Sequence, residues 1–295
     1  MGMGKRVSAI GPRRMLQLLP SPWHDCFGKL LDQATASLVL CSPYIGNDPC
    51  ARVRDRIRTW PFDFHFLLLT DLSRDNMLSG ATDVIAILSL VNAFGNADVR
   101  FLPSLHAKVY VADETEAVVT SANMTAAGLV RNFEYGVRFT DPATVRVIRR
   151  DVLRYASLAS RIDKEQLGKF AAITEELKAM RLRVERSTKS RFRREFAKRL
   201  QEADEQVVRV RAGGRAPHTI FAEAITHILE TAPVRTPDLH RAIQRIHPDL
   251  CDDSVDRVID GHHFGKKWKH AVRTAQQHLK KRGEIELAGG FWRMR

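Results

Sequence analysis

The sequence predicts an α/β domain with a mixed, mostly buried sheet flanked by helices, followed by a basic helical linker and a small C-terminal domain. Three observations predict it. Across the first 160 residues, short apolar runs alternate with amphipathic stretches, the pattern of a sheet covered by helices. From 163 to 211 there is no proline and one glycine, Gly168, and apolar residues recur at intervals of three and four. Beyond a glycine-rich hinge, residues 216–295 hold three helical patterns and a terminal hairpin pattern. A chain of 295 residues, 44% hydrophobic, can bury a core for two domains.

The elements follow in order. Residues 15–35 are expected to be helical, with a break from Pro20 to Pro22. SLVLCSPYIG, residues 37–46, reads as a buried strand closed by Pro43. Residues 51–60 suit a helix with charged outer positions, and FHFLLLTDL, residues 64–72, a second buried strand. Residues 83–93 are helical, and ADVRFL, residues 97–102, forms a third strand. Residues 106–112 alternate and are rich in Val and Tyr, which favours a strand. Another apolar run, residues 117–120, leads into SANMTAAGL, where a helix can begin at 125–129. A strand at 133–139 and a helix at 143–158 complete the domain.

Residues 105–129 read LHAKVYVADETEAVVTSANMTAAGL and carry the chemistry. His106 and Lys108 are two apart, as are Ser121 and Asn123. Residues two apart on a strand share a face. An imidazole, an ammonium, a hydroxyl and an amide can therefore converge on one spot, which suits a phosphate. A lone His-x-Lys would mean nothing. Here Asp113 follows Lys108 by five, and Glu134 lies eleven beyond Asn123. The whole spacing resembles the signature of the phospholipase D superfamily, H-x-K, four residues, D, about six residues and G-S-x-N. Thr120 stands where that family often has Gly.

That resemblance covers roughly residues 15–160 and implies phosphodiester chemistry through a phosphohistidine, with no metal or cofactor. It makes His106 the nucleophile, gives Lys108, Asn123 and Ser121 the phosphate oxygens, and sets Glu134 to hold the His106 tautomer. Asp113 is expected to be structural. The family mechanism uses two histidines, one from each of two signatures, and this chain carries one signature. The other histidines, among them His247, His262, His270 and His278, do not begin a second. A homodimer with His106 of each subunit meeting at one phosphate is therefore implied.

The formal net charge is +13, and residues 161–215 hold 16 Lys or Arg against 9 Asp or Glu. Such a balance points to a polyanionic partner, nucleic acid before an anionic membrane. In the linker, Leu167, Phe170, Ile173, Leu177, Met180 and Val184 make an apolar stripe, and Phe192 and Phe196 lie in a strongly basic stretch. The tail predicts a helix at 220–230, a second capped by Thr236 ahead of Pro237, a loop, a third helix from Trp268 stopped by Gly283, and a hairpin turning at Ala288-Gly289-Gly290. This order resembles the winged helices attached to restriction-type enzymes. In that reading, Trp268, Val272, Ala275 and Leu279 face the core, while Lys266, Lys267, Lys269, His270, Arg273, Gln276, Gln277 and Lys280 meet DNA.

The expected organisation is a phospholipase D-like catalytic domain at 1–160, a basic helical linker at 161–215 and a winged-helix-like DNA-binding domain at 216–295. The function read from it is a dimeric, metal-independent DNA endonuclease, extending to restriction or antiphage defence with further defence-system subunits as partners. The alternatives are a lipid phosphodiesterase or phosphatidyltransferase, and a non-catalytic nucleic-acid-binding protein. No run of about 18 apolar residues predicts a membrane span. The basic N-terminus, interrupted by Arg13, Arg14 and Gln17, does not read as a secretory signal. Cys26, Cys41, Cys50 and Cys251 show no C-x-x-C pairing and are expected as reduced thiols of a cytoplasmic protein. His247, Cys251, His262 and His263 fit no common zinc spacing.

Overall fold

The computed structural model describes residues 15–56, 59–185 and 190–295. The chain opens with β1 (Leu16–Pro20), α1 (His24–Gln33), β2 (Ser37–Cys41), α2 (Asn47–Arg56) and β3 (His65–Thr70). It continues with α3 (Arg74–Ser79), α4 (Val84–Ala93), β4 (Asp98–Phe101), β5 (Val109–Ala112) and β6 (Glu116–Thr120). A π-type turn (Ala127–Arg131), β7 (Tyr135–Phe139), α5 (Pro142–Leu158) and β8 (Ser160–Arg161) follow. Then come α6 (Lys164–Glu185), α7 (Ser190–Ala212), α8 (Pro217–Leu229) and α9 (Thr236–Ile246). The last elements are β9 (Asp256–Ile259), β10 (His262–Lys266), α10 (Lys267–Lys281), β11 (Ile285–Ala288) and β12 (Phe291–Met294).

Eight strands form one mixed sheet in the order β1-β7-β6-β5-β2-β3-β4-β8. β2, β3 and β4 run parallel, and the remaining pairs are antiparallel. The alternation of a strand sorts its apolar residues between two layers. Leu38, Leu40 and Leu68 face one side, packed with Phe27, Leu30, Val53, Ile87, Leu167 and Phe170. Val39, Cys41, Leu67 and Leu69 face the other, packed with Val145, Val152 and Ala156 of α5. Both faces are covered, so the central strands are continuously apolar rather than alternating in polarity. Asp83 and Asp141 cap α4 and α5 by accepting from the Ala86 and Thr144 amides at 3.0 and 2.9 Å.

Four features depart from the expectation. The segment before Pro20 is a strand, β1, whose backbone is satisfied by β7 more than a hundred residues away; local periodicity does not carry that pairing. The basic stretch at 163–211 is not one helix. α6 and α7 fold back antiparallel, with Gln166 Nε2 donating to Val210 O at 2.9 Å, and bury Leu167, Phe170, Leu177, Ala203 and Val207. This segment is thus packed on the sheet domain as well as joining it to the tail, while residues 186–189, between the two helices, lie outside those described. The loop ahead of α10 holds the β9–β10 hairpin, so the tail runs helix, helix, hairpin, helix, hairpin. Thr236 begins α9 but accepts from Trp292 Nε1 at 3.1 Å instead of capping the helix. The terminal hairpin turns as expected at Gly289-Gly290, with φ of +58° and +81°, values that suit glycine.

Asp113 sits at the β5–β6 turn in the left-handed region, φ +52°. Its carboxylate accepts from Thr35 N, Thr35 Oγ1 and Ala36 N, each at 2.9 Å, and from Ser37 N at 2.6 Å. It thereby ties the hairpin to the start of β2 and lies at the edge opposite His106. Partial burial pushes this carboxyl up, but the amides of Thr35, Ser37 and Ala36 outweigh that and hold it below its ordinary range. Asp113→Ala should lower stability by about 2–3 kcal/mol in urea unfolding, the worth of charge-assisted hydrogen bonds. Because the folded-state value is depressed, the carboxylate's contribution is complete above the unfolded carboxylate range and fades as pH falls through the folded value. The Asp113→Asn variant should lack that acid dependence.

A buried polar knot joins the tail to the rest. Arg211, at the end of α7, has a fully buried side chain. Its Nη1 donates to Asp249 at 2.6 Å, its Nη2 to His247 Nδ1, and its guanidinium stacks 5.6 Å from the Phe101 ring centre. An arginine only donates, so His247 must be neutral at Nδ1. Burial, with Arg211 and Arg215 nearby, pushes the His247 imidazole down to about 3. Arg211→Ala should cost about 1–3 kcal/mol, since it leaves the buried His247 and the part-exposed Asp249 carboxylate without their donor. In a urea titration, adding Asp249→Leu to that variant should recover part of the loss.

Candidate active site

The antiparallel ladder of β5, β6 and β7 delivers its polar residues to one edge of the sheet. Val109 faces Val119, and Thr120 faces Gly136. The residues just before β5, just after β6 and just before β7 are therefore neighbours. These are His106 and Lys108, Ser121 and Asn123, and Glu134. β5 starts at Val109, later than expected, yet Lys108 O still accepts from Thr120 N at 3.1 Å.

His106 is exposed, whereas Lys108 is 8% exposed. Lys108 Nζ lies 2.9 Å from His106 O and 3.2 Å from both ring nitrogens of His106. An ammonium can only donate, so the nitrogen it engages carries the lone pair. Burial pushes the Lys108 ammonium below its ordinary range, opposed by the charges of Glu134 and Cys41. Asn123 is half-buried, and its Oδ1 is buried with no hydrogen-bond partner among the described residues. That leaves Nδ2 as the donor end of the amide.

Glu134 does not meet His106. One of its oxygens accepts from Ser121 Oγ and the other from Asn132 Nδ2 at 3.0 Å. Its charge acts on Lys108. Ser121 is correspondingly turned away from a purely phosphate-facing role, since its oxygen also accepts from Tyr135 N at 3.1 Å. Ser21, which the sequence suggested only as part of a break, grips Glu134 from behind. Its Oγ accepts from Glu134 N at 2.6 Å and lies 3.1 Å from Glu134 O. Neither Ser21 nor Asn132 could be found by spacing, because the first reaches the site only through the β1–β7 pairing.

Thr120, in place of the family's Gly, has a structural answer. A Cβ on Gly136, its ladder partner, would lie 2.7 Å from Thr120 Cβ. The space is thus supplied from the neighbouring strand. Gly128 is required for a similar reason, as a Cβ there would lie 2.3 Å from Asn123 O. Tyr110, fully buried, donates to Ala122 O at 2.9 Å, and Ser42 Oγ accepts from Met124 N at 3.0 Å. These bonds brace both sides of Asn123.

The residues expected to meet DNA are separate from this cluster. Lys267, Lys269, Arg273, Gln277 and Lys280 are exposed on α10. Lys266 is tied to Asp256 at 2.9 Å, and His270 is held by Phe264 O at 2.6 Å and by Arg257. Gln276 does not join them. It lies four residues from Val272, on the buried stripe, and is 3% exposed. Among the described residues, no helix is long and apolar enough to cross a membrane.

Residues 28–155 match the family described as "Cardiolipin synthase, PLD-like domain". Among solved structures, Nuc from Salmonella typhimurium is similar at 17% identity and a TM-score of 0.39, over 46% of this chain and 90% of that one. NucT from Helicobacter pylori is similar at 12% identity and 0.37, over 46% and 91%. A phosphatidylserine synthase from Haemophilus influenzae Rd KW20 is similar at 14% identity and 0.43, over 55% and 43%. No curated protein matches. The family match spans the sheet strands from β2 to β7 and encloses the His106–Glu134 cluster, and the mixed sheet flanked by helices has a phospholipase D-like fold.

Proposed function

We propose that the protein is a metal-independent nuclease that cuts DNA as a homodimer through a phosphohistidine. The observation that carries this reading is the exposed His106 imidazole held against the largely buried Lys108 ammonium. A phosphodiester resists attack because of its charge, and a fixed cation beside the nucleophile removes that barrier. A phosphate oxygen competing for Lys108 draws the ammonium off the ring and frees the lone pair. His106 then forms a bond to phosphorus as the bond to the leaving oxygen breaks. His106 of the second subunit gives that oxygen a proton, then takes one from the water that cleaves the phosphohistidine. Lys108 and Asn123 Nδ2 hold the non-bridging oxygens. Glu134, fixed by Ser21, Ser121 and Asn132, offsets the Lys108 charge and keeps it oriented.

The excess positive charge supports nucleic acid as substrate. We assign residues 1–160 to catalysis and 216–295 to a winged-helix-like DNA-binding unit, with the five exposed polar residues of α10 as its contacts. The α6–α7 pair at 161–215 links the two. Phe133, fully exposed beside Glu134, supports a second copy meeting this edge. A second reading, phosphatidyl transfer on lipid, is favoured by the description of the matching family, which names a cardiolipin synthase.

Labelled DNA incubated in EDTA should be cut by the wild type. His106→Ala should lower the rate by roughly 10⁴-fold or more, as loss of a covalent nucleophile does. Mixed dimers of wild type and His106→Ala should be inactive, because each holds one imidazole. A fully active monomer in sedimentation, or phosphatidylglycerol turnover with DNA untouched, would sink the proposal. The alkaline limb of kcat/KM should fall below the ordinary lysine range, because the depressed Lys108 loses its proton there. In a pH series, Lys108→Arg should move that limb upward even as the rate falls.

A further inference from the structure

The His106 loop does not face open solvent on all sides. It forms one wall of a cleft of about 290 Å³ whose other walls are α5 and the ends of α8 and α9. Leu105, His106, Tyr155, His227, Arg245 and Ile246 line it. The cleft is therefore a seam between the catalytic sheet and the tail. Ile246 packs against the apolar layers of both. His247, next in the chain, is locked by Arg211. Arg245 is thus carried on a fixed backbone, while its own side chain is exposed and has no carboxylate partner among the described residues. A guanidinium without a carboxylate partner that lines a cleft is a ready donor to a phosphate. Tyr155 is 41% exposed on the opposite wall, one turn before the buried Leu158. A half-exposed aromatic ring and a cation lining one cleft are the chemistry that takes a nucleobase and its phosphate together.

We propose that this seam is the subsite for the unpaired nucleotide next to the scissile bond, with Arg245 on its phosphate and Tyr155 stacked on its base. The proposal rests on the nuclease reading of His106 and deepens it. The volume is on the scale of one nucleotide, and in this proposal the strand enters single or locally opened. Neither residue belongs to the signature. The tail then contributes to binding at the nucleotide beside the reacting phosphate, besides any contact through α10.

The test is equilibrium binding of a fluorescein-labelled oligothymidylate to the full chain across a salt series, with cleavage of the same oligonucleotide followed separately. Arg245→Ala should weaken binding about tenfold at low salt and reduce the slope of log affinity against log salt by about 0.7, the loss of one phosphate contact to a single strand. Arg245→Lys should restore the slope. Tyr155→Leu, which keeps apolar volume, should weaken binding about tenfold with the slope unchanged. Wild type should prefer the single strand to the same sequence as a blunt duplex. Unchanged affinity and slope in Arg245→Ala and Tyr155→Leu would overturn the subsite while leaving cleavage by His106 intact. Arg245-dependent binding without cleavage would overturn the nuclease reading and, with it, the placement of this site beside a scissile bond. Binding of phosphatidylglycerol vesicles with no affinity for the oligonucleotide would overturn both.

Discussion

The register of β5, β6 and β7 decides where the reactive side chains emerge. Because Val109 pairs with Val119 and Thr120 with Gly136, the polar residues flanking these strands surface together at one edge. A slip of one residue would turn His106 and Lys108 to the opposite face and bury charge in an apolar layer. The register is secured at the far end by Asp113, which accepts four hydrogen bonds from the start of β2. The signature aspartate thus acts on chemistry it never touches. It clamps one end of a hairpin whose other end carries His106 and Lys108.

The near edge carries the cost. Lys108 is largely removed from water, and the Asn123 carbonyl is buried without a donor, which alone costs about 1–3 kcal/mol. Such unbalanced groups persist where the surrounding structure is rigid enough to hold them. Here Tyr110, Ser42 and Gly128 supply that rigidity on either side of Asn123. Glu134 offsets part of the lysine charge and is itself held by three residues.

The strands β2 to β7, the helices α4 and α5 and the gathering of the signature residues were legible because each rests on a local pattern. Alternation defined the strands, i, i+2 parity defined shared faces, and helical stretches were read at 83–93 and 143–158, while the cap at Asp141 was not. What was not legible depends on distant partners. β1 is a strand because β7 offers it an edge, and Ser21 meets Glu134 only through that pairing. The α6–α7 stripe predicted a helix but not the reversal that packs it on the sheet. The β9–β10 hairpin was hidden by aspartates and glycines that read as loop, and Gln276 by a polar side chain on a buried stripe. Glu134 was placed in the cluster correctly by spacing, but its partners were not, since hydrogen-bond choice turns on distances that sequence intervals do not encode.

The pairing of β1 with β7 also sets an order of assembly. A ribosome releases the segment 16–20 long before 135–139, so the first strand must wait with its edge unsatisfied while the central sheet forms beside it. Glu134 gains its grip from Ser21 only when that late closure occurs. The turn bearing His247 and Asp249 emerges later still, and with it the wall that carries Arg245. A nascent chain therefore holds the strands that flank His106 before the cleft beside that residue has its second wall.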